Sequence, residues 1–316
     1  MEGSIKQVAL IVEDLEKTMK AYWDIMGVGP FQKNHFTPST SHDLYVYGEE
    51  VKEDYHFCCA CSWNGNIEYE LIKPYVGPDI YWSHLKDYGP GLHHFKIVIP
   101  DNDKLKAYVG SLEKKGMTVL QTGWIDHDVH YYVDSKSQLG MILELGNGGA
   151  IRKTEDIYPS DDAVPEVSHK QNVAEIGIVV DSAEHYAKNW SELVETSQWT
   201  AEYYWKESEN TFVRNDSDLH DQDAFVRMES EAGGMKIVLI QPLAGESIYS
   251  KFLKKHGCGF FSIEDVQPKE VAEDFGEHLE KAGIGVIQKE VSSDRVRYCY
   301  DTEKQFAVQY NMCSKR

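Results

Sequence analysis

Positive charge is scarce in this chain, and its first 151 residues hold no arginine at all: Arg152 is the first. Lysine and arginine together number 32 against 52 aspartates and glutamates, a net charge of −20. Nucleic acid needs clustered cations for its phosphates, so that class of partner is argued against. The missing guanidinium forks also weigh against a substrate carried on coenzyme A or glutathione, although lysines remain available. Long apolar runs are absent too, with none near the ~18 residues of a membrane-spanning helix. Met1 to Gln7 carry no basic-then-apolar leader. Cysteine is sparse, six in 316 residues, with no disulfide framework. The crowded Cys58, Cys59 and Cys61 read as strand-interior packing, and the chain reads as a reduced, cytoplasmic protein.

What remains is an ordinary globular composition, 41% hydrophobic and 27% charged, long enough for two domains. The pattern of strand, amphipathic helix and several strands recurs four times. Val8 to Val12 leads to a helix from Asp14 with Leu15, Met19, Tyr22, Trp23 and Met26 on one face and Gly27 as its stop. Phe95 to Ile99 leads to a helix with Leu105, Val109 and Leu112 inward, ending at Gly116. Ile176 to Val180 precedes a helix that turns Ala183, Tyr186, Trp190 and Leu193 inward. The last unit, Phe260 to Ile263, precedes a helix with Val271, Phe275 and Leu279 inward and Gly283 as its stop. Alternating strand-like runs such as Ile67 to Ile72 and Met141 to Leu145 follow the helices. The Asp-, Ser- and Pro-rich stretch 150–172 reads as a linker between a domain of residues 1–149 and one of 173–316.

The opening Val8-Ala-Leu-Ile-Val-Glu-Asp-Leu15 and Tyr22-Trp-Asp-Ile-Met-Gly-Val-Gly-Pro30 resembles that of vicinal-oxygen-chelate proteins. That superfamily includes glyoxalase I, methylmalonyl-CoA epimerase, extradiol dioxygenases and bleomycin-resistance proteins. Gly91-Leu-His-His-Phe95 is similar to the start of the second module in epimerase-like members, and Asp134 to Leu145 to their closing strand. The resemblance implies an α+β fold of four βαβββ modules in two tandem glyoxalase-like domains. It also implies one divalent metal ion held on Gln7, Glu70, His94 and Glu144. Two carboxylates, an imidazole and an amide oxygen suit Zn, Ni, Co, Mn or Fe, and no thiolate selects among them. The order of ligand types resembles some glyoxalase I enzymes. His93, next to His94, is expected on the opposite face of its strand because side chains alternate.

The second half serves as a control. Glu70 follows Gln7 by 63 positions, as Val238 follows Glu175. Glu144 follows His94 by 50, and Gln309 follows Phe260 by 49. Those spacings make Glu175, Val238, Phe260 and Gln309 the counterparts, and valine and phenylalanine bind no metal. The second domain is therefore expected to be a degenerate copy, which also counts against an extradiol dioxygenase, whose ligands lie in the second half.

The enzymes resembled use the metal to stabilise an enolate while a side chain moves the proton. Glu144, as ligand and base, Glu70 and His130 are the catalytic candidates; His130 and Tyr132 alternate toward one face of their strand. His35, His42, His56, His84 and His127 carry no signal that ranks them. Tyr45, Tyr47, Tyr69, Tyr81, Trp82, Trp124, Tyr131 and Tyr132 suit a neutral, ring-bearing ligand. The function expected first is a metal-dependent isomerase, epimerase or racemase acting beside the carbonyl of a small molecule. A glyoxalase I-like lyase and a small-molecule binding protein are the alternatives, and a homo-oligomer is left open.

Overall fold

The computed structural model describes residues 3–154, 156–160, 162–206, 208–214 and 222–316. The chain divides into two compact units, one of Met1–Ser137 with Met141–Ser168, the other of Gln138–Gly140 with His169–Arg316. No helix among the described residues is long and apolar enough to cross a membrane.

In the first unit the elements run β1 (Ser4–Ile11), α1 (Leu15–Ala21), β2 (Phe31–Phe36), β3 (His42–Val46), β4 (Glu49–Glu50), β5 (His56–Asn64), β6 (Ile67–Val76) and α2 (Ile80–Tyr88). They continue as β7 (Gly91–Val98), α3 (Asn102–Lys114), β8 (Val119–Ile125), β9 (Asp128–Val133), α4 (Lys136–Leu139), β10 (Ile142–Gly146) and β11 (Ile157–Tyr158). Asp14 caps α1 by accepting from Lys17 N, and the helix widens into a π turn, Tyr22–Met26. Gly27 then stops it at φ 65°, a left-handed conformation that glycine adopts without penalty. One sheet holds all the strands in the order β11-β2-β5-β6-β1-β7-β10-β9-β8-β3-β4. At its middle β1 and β7 pair antiparallel, while β6 runs parallel to β1 and β10 parallel to β7. The first and last strands of both modules are thus brought side by side. β3 leaves its own module and pairs with β8 of the other.

The second unit repeats this plan with β12 (Val173–Val179), α5 (Ala183–Val194), β13 (Thr200–Trp205), β14 (Thr211–Arg214), β15 (Ala224–Ala232), β16 (Met235–Ala244) and α6 (Ile248–His256). β17 (Gly259–Gln267), α7 (Lys269–Lys281), β18 (Val286–Val291), β19 (Arg295–Tyr300), α8 (Glu303–Phe306) and β20 (Gln309–Lys315) complete it. Its strand order is β13-β15-β16-β12-β17-β20-β19-β18-β14. The fold is α+β, four βαβββ modules in two tandem glyoxalase-like domains. Val271 departs from expectation: it is 39% exposed, because the buried stripe of α7 runs Ala272, Phe275, Gly276 and Leu279. Within the stretch 150–172, Ile157–Tyr158 pairs with β2 and Arg152 forks onto Asp126. His169 stacks on Phe275 at 3.7 Å and hydrogen-bonds Asp265 at 2.7 Å. Glu155 and Asp161 of that stretch, and Met1 and Glu2, lie outside the described residues.

Strand pleating gives the first sheet two unlike faces. Helix α1 covers the face bearing Val8, Leu10, Tyr69 and Leu71, with the Tyr22 and Tyr69 rings 5.2 Å apart. The other face carries Gln7, Glu68, Glu70, His94 and Glu144 at its centre, ringed by an apolar cluster that includes Ile72, Phe57, Tyr81 and Tyr132. Helix α2, which sequence periodicity did not reveal, lies on this second face. Its Tyr81 hydroxyl donates to the Tyr132 hydroxyl at 2.7 Å, and Ile80 N donates to Gln121 Oε1 at 3.1 Å.

Asp79 caps α2, accepting from Trp82 N at 2.7 Å, while its second oxygen is buried without a partner. Burial raises its pKa from 3.8 to about 6. An acid held more basic in the folded state favours folding when protonated, and that contribution is lost as pH rises from 3.8 to 6. The gap is worth roughly 3 kcal/mol. Asp79→Asn keeps an acceptor at the cap without the charge. Its stability relative to wild type should therefore rise between pH 4 and pH 7 in urea titrations, and a pH-independent difference would contradict this account.

Candidate metal centre

The inner face of the first sheet is polar at its centre because four strands place acidic, amide or imidazole side chains in register. Ala9 of β1 pairs with Glu70 on one side and His94 on the other; two residues back, Gln7 pairs with Glu68 and Lys96. Lys96 in turn pairs with Glu144, and Glu144 with Tyr132. Residues in register or two apart share a face, so these side chains converge over the small Ala9. The corresponding position of the second unit is Gly177.

Glu70, His94 and Glu144 bring one donor atom each to within 4.8 Å of one another, and they are the group among the described residues able to hold a metal ion. His94 Nε2 is 2.9 Å from Glu144 Oε2 and 3.6 Å from Glu70 Oε2. Gln7 donates through Nε2 to Glu68 at 2.9 Å, which leaves its oxygen for another partner. Gln7 Oε1, His94 Nε2 and Glu144 Oε2 are all buried without a hydrogen bond. Buried polar atoms are rarely left in that condition. The contact between His94 Nε2 and Glu144 Oε2 is close but not aligned as a hydrogen bond, so the lone pairs stay available to a third centre. A single divalent cation is the cofactor that fits: one imidazole, two carboxylates and an amide oxygen accept it, and no sulfur is required.

The electrostatics agree. Glu68, Glu70, Glu144 and Asp128 face one ammonium, Lys96, which lies 2.9 Å from Asp128 and 3.2 Å from Glu144. Burial alone would raise the Glu144 carboxyl, but Lys96 and His94 hold it below the ordinary range. Burial would depress His94, yet Glu144 and Glu70 outweigh it and its pKa is raised. Burial, with Glu70 nearby, pushes Glu68 up to about 6. His130 is lowered by burial, only partly offset by Glu144 and Asp128, so it is a neutral imidazole; its Nε2 has no partner. Tyr132 lies against both His94 and His130, with centroids 4.9 and 5.4 Å away.

Two expectations are corrected here. His93 does not point to the opposite face. Between Leu10 and Ala9 the β1–β7 register skips from Leu92 to His94, a bulge that makes His93 the extra residue and turns its ring inward. Its Nδ1 lies 2.8 Å from His94 Nδ1, and its ring meets Tyr81 and His84. With His94 Nε2 kept for a cation, His94 Nδ1–H donates and neutral His93 accepts; burial holds the His93 imidazole well below its usual pKa.

The second correction concerns the counterparts in the other unit. Gly177 pairs with Val238 and with Ser262, and Ser262 with Gln309, just as Ile142 pairs with His94. His94 and Glu144 therefore correspond to Ser262 and Asn311, not to Phe260 and Gln309. Glu175 and Val238 stand where expected. Two guanidinium groups fill this second centre. Arg297 forks onto Glu264 and reaches Glu290 at 2.8 Å and Glu175 at 3.4 Å; Arg227 reaches Glu175 at 3.3 Å and Tyr249 at 3.4 Å. Lys96 and Glu68 in the first unit, and the two arginines in the second, were missed by sequence reasoning. Lys96 and Glu68 each stand two residues from a ligand position, and that spacing was the available signal.

Residues 6–133 match the family model of the Glyoxalase/Bleomycin resistance protein/Dioxygenase superfamily. No curated protein sequence is significantly similar. Among solved structures, a triple mutant of 4-hydroxymandelate synthase from Streptomyces coelicolor aligns over 99% of this chain and 92% of its own, with TM-score 0.61 and 10% identity. The halotolerant catechol dioxygenase BphC aligns over 98% and 86%, with TM-score 0.54 and 9% identity. The Mn(II)-bound glyoxalase from Novosphingobium aromaticivorans aligns over 98% and 81%, with TM-score 0.51 and 10% identity. At such identities the likeness is one of fold. The family match itself spans residues 6–133, the greater part of the first domain.

If the first centre holds the ion, purified protein should carry about one divalent metal per chain and His94→Ala none, by elemental analysis. Close to two ions per chain would contradict the reading of the arginine-filled centre, and full occupancy in the alanine variant that of His94.

Proposed function

We propose that the first domain is a divalent-metal-dependent isomerase, epimerase or racemase that moves a proton beside the carbonyl of a small, neutral or aromatic substrate in the cytoplasm. The observation that carries this is the convergence of Gln7, Glu70, His94 and Glu144, with three unpartnered buried atoms, beside a neutral imidazole on the same face. Gln7, Glu70, His94 and Glu144 are the metal ligands in this reading. When bound, a divalent ion there would supply Lewis-acid stabilisation of the developing enolate oxygen. The chain's own groups do the rest. Glu70, Glu144 and His130 are the candidates to carry the proton, and neutral His130 is in the protonation state a base requires. Helix α2, pinned through Tyr81 and Tyr132, screens the site from water. The ring-bearing walls, Tyr81, Phe57 and Tyr132, favour an apolar or aromatic substrate body.

A glyoxalase I-like lyase is the second reading, favoured by the order of ligand types. Against it, Arg152 is the first arginine of the chain and is already engaged with Asp126 on the surface, so no guanidinium of that half is left for a glutathione carboxylate. A dioxygenase is disfavoured by the ligand set, which holds one imidazole where non-haem iron oxygenases use two.

The test is exchange. Metal-loaded protein is incubated in deuterated water with a panel of 2-hydroxy ketones and 2-substituted ketones, with deuterium read by mass spectrometry. Label should enter at the carbon beside the carbonyl, without glutathione. His130→Phe should reduce that rate by about 100-fold or more while metal content holds. A strict glutathione requirement would favour the lyase. Oxygen consumption without exchange would overturn both readings.

A further inference from the structure

The two carboxylates of the centre are held differently. Glu144 is almost wholly buried: Oε1 is tied to Lys96 Nζ at 3.2 Å, while Oε2, without a hydrogen bond, faces His94 Nε2 at 2.9 Å. Glu70 is more open, its side chain 13% exposed, and among the described residues its ion-pair contact is to His94 at 3.6 Å. Lys96 is itself fixed by Asp128 at 2.9 Å, and Asp128 accepts from Gly149 N. The ammonium is therefore anchored from behind and bridges to the ligand in front.

Resting on the metal reading above, we propose that Lys96 is a positioning residue. It pins Glu144 as a fixed, one-oxygen ligand and leaves Glu70 as the carboxylate that yields to the incoming substrate. The chemistry of the site makes this more than a neutralising contact. An ammonium next to a dication repels it, so a lysine kept only for charge balance would weaken the centre it adjoins. Asp128 alone already compensates the lysine. What the second contact adds is direction: with Oε1 tied back, Oε2 has one orientation, toward His94 and the free oxygen of Gln7. Outer groups that orient ligands in this manner commonly matter to affinity by 10- to 100-fold. Glu144 so tied is the least free of the candidate proton carriers, and Glu70 is the freer of the two carboxylates.

Mn(II) alone is a sufficient probe, titrated into metal-stripped protein and followed by the electron paramagnetic resonance signal of the free ion. Lys96→Met should weaken binding about tenfold or more and alter the spectrum of the bound ion, and Lys96→Arg, which keeps a donor, should restore most of the affinity. Simple electrostatics predicts the opposite sign, so binding in Lys96→Met that equals or exceeds wild type overturns the proposal. Glu144→Gln should cost more affinity than Glu70→Gln; the reverse order also overturns it. If Lys96→Met does not fold, the uncharged pair Lys96→Gln with Asp128→Asn is read by the same criterion. Wild-type protein that binds no Mn(II) removes the metal reading itself, which separates that failure from failure of the lysine's role.

Discussion

Buried negative charge is the constraint on which the rest of the structure depends. Pairing β1 with β6 and β7, and β7 with β10, forces the glutamates of β6 and β10 onto one screened patch of sheet. Carboxylates cannot be left there without a counter-charge, since desolvating an ion costs several kcal/mol. The first unit supplies one lysine and several unpartnered donor atoms, a set that a divalent ion would complete. In the second unit Arg227 and Arg297 meet Glu175, Glu264 and Glu290 directly. The same frame thus solves one electrostatic problem in two ways. A guanidinium satisfies charge and hydrogen bonding but has no open coordination position, so the second centre is closed where the first keeps donor atoms unpartnered.

The sheet makes either solution possible by its geometry. Alternation puts residues two apart on one face, and parallel and antiparallel pairing aligns those faces across four strands. Small residues at the middle, Ala9 and Gly177, keep the centre open for the longer chains around them; a Cβ on Gly177 would meet Ser262 Oγ at 2.3 Å. The bulge on β7 then adds what strict alternation denies, a second imidazole on the inner side to hold the first. The second unit repeats the bulge on β17, between Phe260 and Ser262. It is therefore a feature of the frame, and the residue at that position decides whether it serves a metal ligand.

Much of this was legible in the sequence. Four modules follow from helix and strand periods punctuated by Gly27, Gly116 and Gly283, and the superfamily resemblance pointed to Gln7, Glu70, His94 and Glu144. What escaped was non-local or irregular. His93 was placed on the wrong face because a bulge breaks the period of two. The counterparts of His94 and Glu144 slipped by two residues because the first strand of the module was matched by its apolar start; carrying the spacing from Glu70 to His94 over to Val238 arrives at Ser262. Helix α2 is short, and the residues that fix it to the sheet, Gln121 and Tyr132, come from the other module. Arg227 and Arg297 sit inside apolar strands, where a charged side chain signals a buried partner that sequence alone does not identify.

The most direct measurement is the position of the ion itself. Crystals of metal-loaded protein, with anomalous differences collected at the metal edge, should show one peak in the first domain. It should lie about 2.0–2.2 Å from Gln7 Oε1, His94 Nε2 and one oxygen each of Glu70 and Glu144. No peak should appear beside Arg297. A peak held by other residues, or none in fully loaded protein, would contradict the account.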